Sequence, residues 1–148
     1  QKGIAATADE FYYHMIKAIL NIANKGGVIV GRGAHLVLAS RSAFRLRIEG
    51  SLPVCSERIA AQRGIKKGAA AKLILKVNEE RQSFVKNVYR RFANTGNYYD
   101  MVINSDIYTP EQIADLVVET LRITGHPVPD TSTGAALKPV EVTADSEP

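Results

Sequence analysis

Arg32 stands between Gly31 and Gly33, directly after the β-branched run Val28-Ile29-Val30. An apolar run that stops at a glycine-flanked arginine places a permanent cation at the mouth of an α/β sheet, where the glycines let backbone approach a ligand closely. A guanidinium fork matches two phosphate oxygens at once, so the chemistry suggested is the holding of an anion. Gly-x-Gly is a short signal, and a βα turn whose arginine pairs with a neighbouring carboxylate accounts for it equally well. Arg81 is a second candidate. With Val77 at the centre of an apolar helical stripe, Leu73, Phe84, Val88 and Arg81 all lie within about 40° of it at roughly 100° per residue. An arginine in such a stripe either snorkels at a helix edge or points into a polar cleft, and the residues alone leave both open.

The charge distribution agrees with an anionic ligand. The 148 residues carry a net charge of +4, yet positions 41–91 hold 13 basic residues against 4 acidic ones. Such a field attracts anions. Aromatic residues do not interleave with the basic ones and no nucleic-acid-binding signature is present, so the expected partner is a phosphorylated small molecule, with no nucleic acid. No apolar run is long enough for a membrane span, and no membrane partner is expected. The one cysteine, Cys55, excludes an internal disulfide and fits a reducing, cytoplasmic setting. Cys55, His14, His35 and His126 lack the spacing of metal ligands, so no metal site is expected from them.

These side chains need elements to position them. Thr7 and Glu10 form a capping-box pattern ahead of a helix whose stripe runs Phe11, Met15, Ile19 and Ile22 and ends at Gly26-Gly27. A strand over 28–30 follows, then a helical turn over Ala34–Ala39. Phe44–Glu49 alternates apolar and charged residues, as a strand with one wet face does. A short helix from 53 leads into a mobile basic loop, Arg63–Gly68, and then a long helix over 69–94. Asn94–Tyr99 reads as a turn and Asp100–Asn104 as a strand. Thr109-Pro110-Glu111-Gln112 opens a last helix with stripe Ile113, Leu116, Val117 and Leu121, closed by Gly125. Residues 1–125 thus form one α/β domain, and 126–148, rich in Pro, Thr and Ser, read as a disordered tail. His35, Tyr98 and Tyr99 read as packing residues around turns.

The order of these elements resembles the second half of the cytidylate kinase-like family, P-loop nucleoside monophosphate kinases. The resemblance is carried by Val28–Leu38 (VIVGRGAHLVL), Asn78–Arg81 (NEER) and Asn97–Asp106 (NYYDMVINSD), within residues 8–123. It implies part of a three-layer fold, a mostly parallel sheet flanked by helices, with the central P-loop strand absent from this chain. It also implies transfer of the ATP γ-phosphoryl group, with Mg²⁺, onto a nucleoside monophosphate, CMP by family default. Gly31, Arg32, Gly33, Asn78 and Arg81 would bind the acceptor. Arg58, Arg63 and Arg81 would be catalytic, and Lys66 and Lys67 would meet ATP from a closing lid.

Three positions depart from the family pattern. Gly33 stands where an aspartate reads cytosine, Asn78 where an aspartate meets the ribose, and Cys55 where the short helix carries an arginine. The sequence has no Gly-x-x-x-x-Gly-Lys-Ser/Thr, the loop that cradles the β- and γ-phosphates, which in the family lies upstream of residue 1. From its first residue, Gln1, the chain is expected to be processed or incomplete and inactive by itself. It is expected either to self-associate or to pair with a missing N-terminal half. The alternative is a non-catalytic nucleotide- or phosphate-sensing module that has lost its P-loop.

Overall fold

The computed structural model describes residues 8–39, 43–89 and 99–128. Helix α1 spans Ala8–Lys25, and of its expected stripe Met15 and Ile19 face the core while Phe11 is 44% exposed. Ile19 is buried with Ala34 and Leu38, and Met15, Leu20 and Ala23 pack around them. The four-residue α2, Ala34–Val37, supplies the other half of this small core. Thr7, the expected cap of α1, lies outside the described residues.

Residues 28–30 do not form the strand that their β-branched run suggests. The segment is irregular, with Ile29 packed on the α1–α2 core while Val28 and Val30 are 84% and 87% exposed. The in–out alternation of a strand is therefore present, but no backbone partner lies alongside among the described residues. Strand assignment requires a ladder, and side-chain pattern alone does not supply one.

The sheet is two-stranded and parallel. Strand β1, Leu46–Glu49, pairs with β2, Met101–Asn104, in the register Leu46↔Met101 to Glu49↔Asn104. Only Ile103 is buried on these strands, and Ile48 and Val102 remain 52% and 57% exposed. Alternation over Phe44–Glu49 thus reports a sheet with uncovered surface. The architecture is α/β, a small parallel sheet flanked by helices.

Both ends of the ladder are pinned by carboxylates. Asp100 receives the Arg45 guanidinium twice, from Nε at 2.9 Å and Nη2 at 2.7 Å, and the Arg45 backbone N–H at 2.8 Å. At the other end the Ser51 N–H donates to both oxygens of Asp106, at 3.0 and 3.1 Å. The Arg45 side chain holds the Asp100 carboxyl down to about 2, below its ordinary value of 3.8. A depressed carboxyl stabilises the fold fully above its unfolded value and loses that contribution as pH falls from about 4 through about 2. Arg45→Gln is therefore expected to flatten the decline in unfolding free energy between pH 5 and pH 2 in urea titrations. The difference should be roughly 0.5–1 kcal/mol, since the Asp100 side chain keeps 36% of its exposure and solvent screens the pair.

Helix α3, Leu52–Arg63, and helix α4, Lys67–Val88, form an antiparallel-style hairpin joined only by Gly64, Ile65 and Lys66. The expected basic loop over Arg63–Gly68 is thus shortened to Gly64–Lys66, with Arg63 ending α3 and Lys67 and Gly68 already in α4. Gly64 takes φ +64 as the left-handed cap of α3, and Lys66 is extended, so α4 restarts at Lys67. Helix α4 begins two residues before the expected start and ends at Val88. The expected continuation to 94 and most of the Asn94–Tyr99 turn lie outside the described residues.

Helix α5, Pro110–Ile123, has the caps its sequence announces. Thr109 Oγ1 accepts from the Gln112 N–H at 3.3 Å, and Gln112 Oε1 accepts from the Thr109 N–H at 2.9 Å. Its other end is a Schellman motif: Gly125 at φ +71, with Gly125 N–H on Arg122 O at 3.2 Å and His126 N–H on Leu121 O at 2.9 Å. His126 also packs its ring edge-on to Phe44, at 5.6 Å between centroids. The first residue of the expected tail is thereby tied to the domain, while 129–148 lie outside the described residues.

Candidate functional site

Three consecutive residues take left-handed backbone: Gly31 at φ +78, Arg32 at +52 and Gly33 at +68. Glycine adopts this conformation freely, but for arginine it costs about 1–2 kcal/mol. The turn leads directly into α2, with Ala34 N–H on Gly31 O at 3.1 Å and Leu36 N–H on Gly33 O at 2.9 Å.

Arg32 is exposed, and its guanidinium carbon lies 5.9 Å from the centroid of the Phe84 ring on α4. Phe84 in turn meets Tyr12 of α1 edge-on, at 6.4 Å. The cation–π contact seats the arginine against α4 without neutralising it. Arg81 precedes Phe84 by three residues, on the same side of the helix and about one turn away, and Asn78 precedes Arg81 by three more. Asn78 and Arg81 are both exposed. Arg32 therefore approaches the α4 face that carries Asn78 and Arg81.

The residues expected in a lid sit elsewhere. Arg58 on α3 turns toward the end of β2, donating from Nη2 to the Ser105 carbonyl at 2.6 Å and from Nη1 to Ser105 Oγ at 3.2 Å. Lys67 pairs with Glu57 across the start of the α3–α4 hairpin. Arg63 and Lys66 are exposed at the hairpin's tip. Arg58 is thus attached to the sheet end, while Arg63 and Lys66 stand exposed by the connection and Lys67 reaches back to Glu57, the residue before Arg58.

His35 follows the turn and stacks on Tyr99, with ring centroids 4.8 Å apart. The Arg47 guanidinium lies over Tyr99, at 5.3 Å. Burial above all, then the positive charges of Arg47 and Arg45, pushes the His35 imidazole below its ordinary value. Both residues are packing residues, as their sequence context suggests.

Two residues of the site carry no sequence signal. Phe84 reads as stripe residue only, and Tyr89, just past the end of α4, lies off the stripe altogether. Tyr89 is 2% exposed and donates its hydroxyl to the Arg32 carbonyl at 2.8 Å. A Cβ on residue 33 would lie 2.2 Å from Tyr89 Cε2. Gly33, noted as a departure from the family pattern, is the indirect sign that a large neighbour fills that volume.

Chemically, the arrangement fits an anion with several oxygens: two exposed guanidinium groups on one side, of which Arg32 is seated against Phe84. Among the described residues no three His, Cys, Asp or Glu side chains converge as metal ligands, and the sequence contains no P-loop.

A stretch of 103 residues, 69% of the chain, is 33% identical to a uronate isomerase of Corynebacterium glutamicum. The chain spans only 20% of that protein's length. The description of the cytidylate kinase-like family matches residues 3–107, a span containing the Arg32 turn, the α3–α4 hairpin, the Arg81 helix face and both strands. That span is well over half of the sequence, and the chain belongs to the cytidylate kinase-like family.

Proposed function

We propose that this chain is the acceptor-holding and lid-bearing part of a nucleoside monophosphate kinase, which transfers the ATP γ-phosphoryl group to a nucleoside monophosphate, CMP by family default. The observation that carries this reading is the seating of Arg32 on Phe84, one turn from Arg81. In that arrangement Arg32 and Arg81 bind the acceptor's phosphate and neutralise it, which lowers its repulsion for the incoming phosphoryl group. Phosphoryl transfer depends almost wholly on such positioning and charge compensation. Asn78 faces the acceptor's sugar. Gly31 and Gly33 give the phosphate room beside the backbone. Arg63, Lys66 and Lys67 travel with the tip of the α3–α4 hairpin, which closes over the phosphates and excludes water. Arg58 holds the base of that hairpin to Ser105 and the sheet.

The 148 residues contain no P-loop motif. A P-loop would supply the cradle for Mg²⁺–ATP, and no step here is assigned to it. The chain by itself is expected to bind a nucleoside monophosphate and to consume no ATP, as measured by a coupled ADP-release assay. The intact protein should convert CMP to the diphosphate. Steady ATP turnover by the 148-residue chain, or no acceptor phosphorylation by the intact protein, contradicts the reading.

A second reading is a non-catalytic nucleotide- or phosphate-sensing module. It is favoured by the missing P-loop and by the occurrence of a related stretch within a protein named for a different reaction. An intact protein that binds CMP without transferring phosphate to it supports this second reading.

A further inference from the structure

The turn at Arg32 is held in a conformation that arginine does not choose, and one buried side chain does the holding. Tyr89 donates its hydroxyl to the carbonyl of Arg32, and its ring occupies the space beside Gly33, so a single residue acts on two successive positions of the turn. A plain connection between an extended segment and a short helix needs neither contact. Backbone strain kept in place by its surroundings, at a loop that presents a cation, marks pre-organisation for a ligand. Burial pushes the Tyr89 hydroxyl up in pKa, so it stays a proton donor across the working range.

We infer that Tyr89 is the positioning residue of the Arg32 turn: its hydroxyl fixes the carbonyl of Arg32 so that the guanidinium leaves over Phe84 toward Arg81, and its ring fills the place of a side chain at 33. The acceptor is therefore gripped by its phosphate, and its base is not read from position 33. Tyr89 itself touches no ligand, being buried. This rests on the reading of Arg32 as a holder of the acceptor's phosphate.

The test compares wild type, Tyr89→Phe and Arg32→Asn in three measurements. These are the one-bond Cα–Hα coupling of residue 32, which reports left-handed backbone, calorimetric titration with CMP and with inorganic phosphate, and thermal melting. Phenylalanine keeps the ring against Gly33 and removes only the hydroxyl. Tyr89→Phe is expected to lose the left-handed signature and bind both probes about tenfold more weakly, the scale of one hydrogen bond to a positioned group. Its melting point should stay within a few degrees of wild type. Equal losses for CMP and phosphate are expected, because the grip on phosphate is what changes. Arg32→Asn keeps the left-handed turn, which asparagine tolerates, and loses binding.

A Tyr89→Phe protein that binds both probes as tightly as wild type overturns the inference while leaving the phosphate role of Arg32 intact. A wild-type protein that binds neither probe overturns the phosphate reading itself, and the inference with it.

Discussion

Replacing Gly33 by alanine is expected to destabilise the protein by about 2–4 kcal/mol, the sum of left-handed strain at a β-carbon and overpacking against a buried ring. The added carbon would sit 2.2 Å from Tyr89 Cε2 and 2.9 Å from Cδ2, distances no real contact sustains. Tyr89 has nowhere to withdraw, since it is fully enclosed and anchored through its hydroxyl. Gly33→Asp should be at least as harmful, although it restores the residue that the family pattern places there. The two positions are coupled, so shrinking the ring should relieve the clash. Gly33→Ala combined with Tyr89→Leu is expected to cost less than the two single changes added together, by about 1 kcal/mol or more. Urea denaturation of the four proteins measures this cycle. A Gly33→Ala protein within about 0.5 kcal/mol of wild type would show that the turn has slack, against the scale expected for surface changes.

Removing either guanidinium has the opposite signature, a large loss of binding with little change in stability. Each charge-assisted contact to a phosphate is worth roughly 1.5–3 kcal/mol, so Arg32→Ala and Arg81→Ala should each weaken CMP binding by about 10- to 150-fold. In the intact protein turnover should fall by at least as much, because repulsion between acceptor and donor phosphates is then uncompensated. Both side chains are exposed, so neither change opens a cavity. Lysine at either position should recover only part of the loss, since it restores charge without the fork. Arg32→Gly is the sharpest case: it relieves the left-handed strain at φ +52 and should leave stability equal or higher while binding disappears. A gain in stability bought by losing function is the mark of a residue kept for its ligand.

The legible parts of the fold were those written in local chemistry. The α5 caps follow from Thr109, Pro110, Gln112 and Gly125, each of which acts within a few residues of itself. The stripe of α1 emerged from periodicity, and Ile19 is buried at its centre. Long-range pairing was less legible. Val28-Ile29-Val30 has the composition and alternation of a strand, but a strand exists only beside another, and none is described next to it. The Arg63–Gly68 segment was legible only in part: its lysines and glycines suggest a six-residue loop, yet only Gly64–Lys66 lie between the helices and Lys67 already pairs with Glu57 within a helical hairpin.

For the site, the arginines were visible because their type and setting are unusual, directly after an apolar β-branched run and inside an apolar stripe. Their support was not. Tyr89 lies outside the stripe of α4, and its contact with Arg32 spans 57 residues of sequence. No periodicity encodes such a contact. Only the glycine opposite it, kept where a side chain would collide, left a trace in the sequence.

The most direct measurement is a titration of the ¹⁵N-labelled protein with CMP, following the Nε–Hε signals of Arg32 and Arg81 together. Guanidinium groups that grip one phosphate should shift in concert, with a single dissociation constant and saturation at one ligand per chain. Movement of only one of the two, or two unrelated constants, would mean that these side chains do not meet at a common ligand.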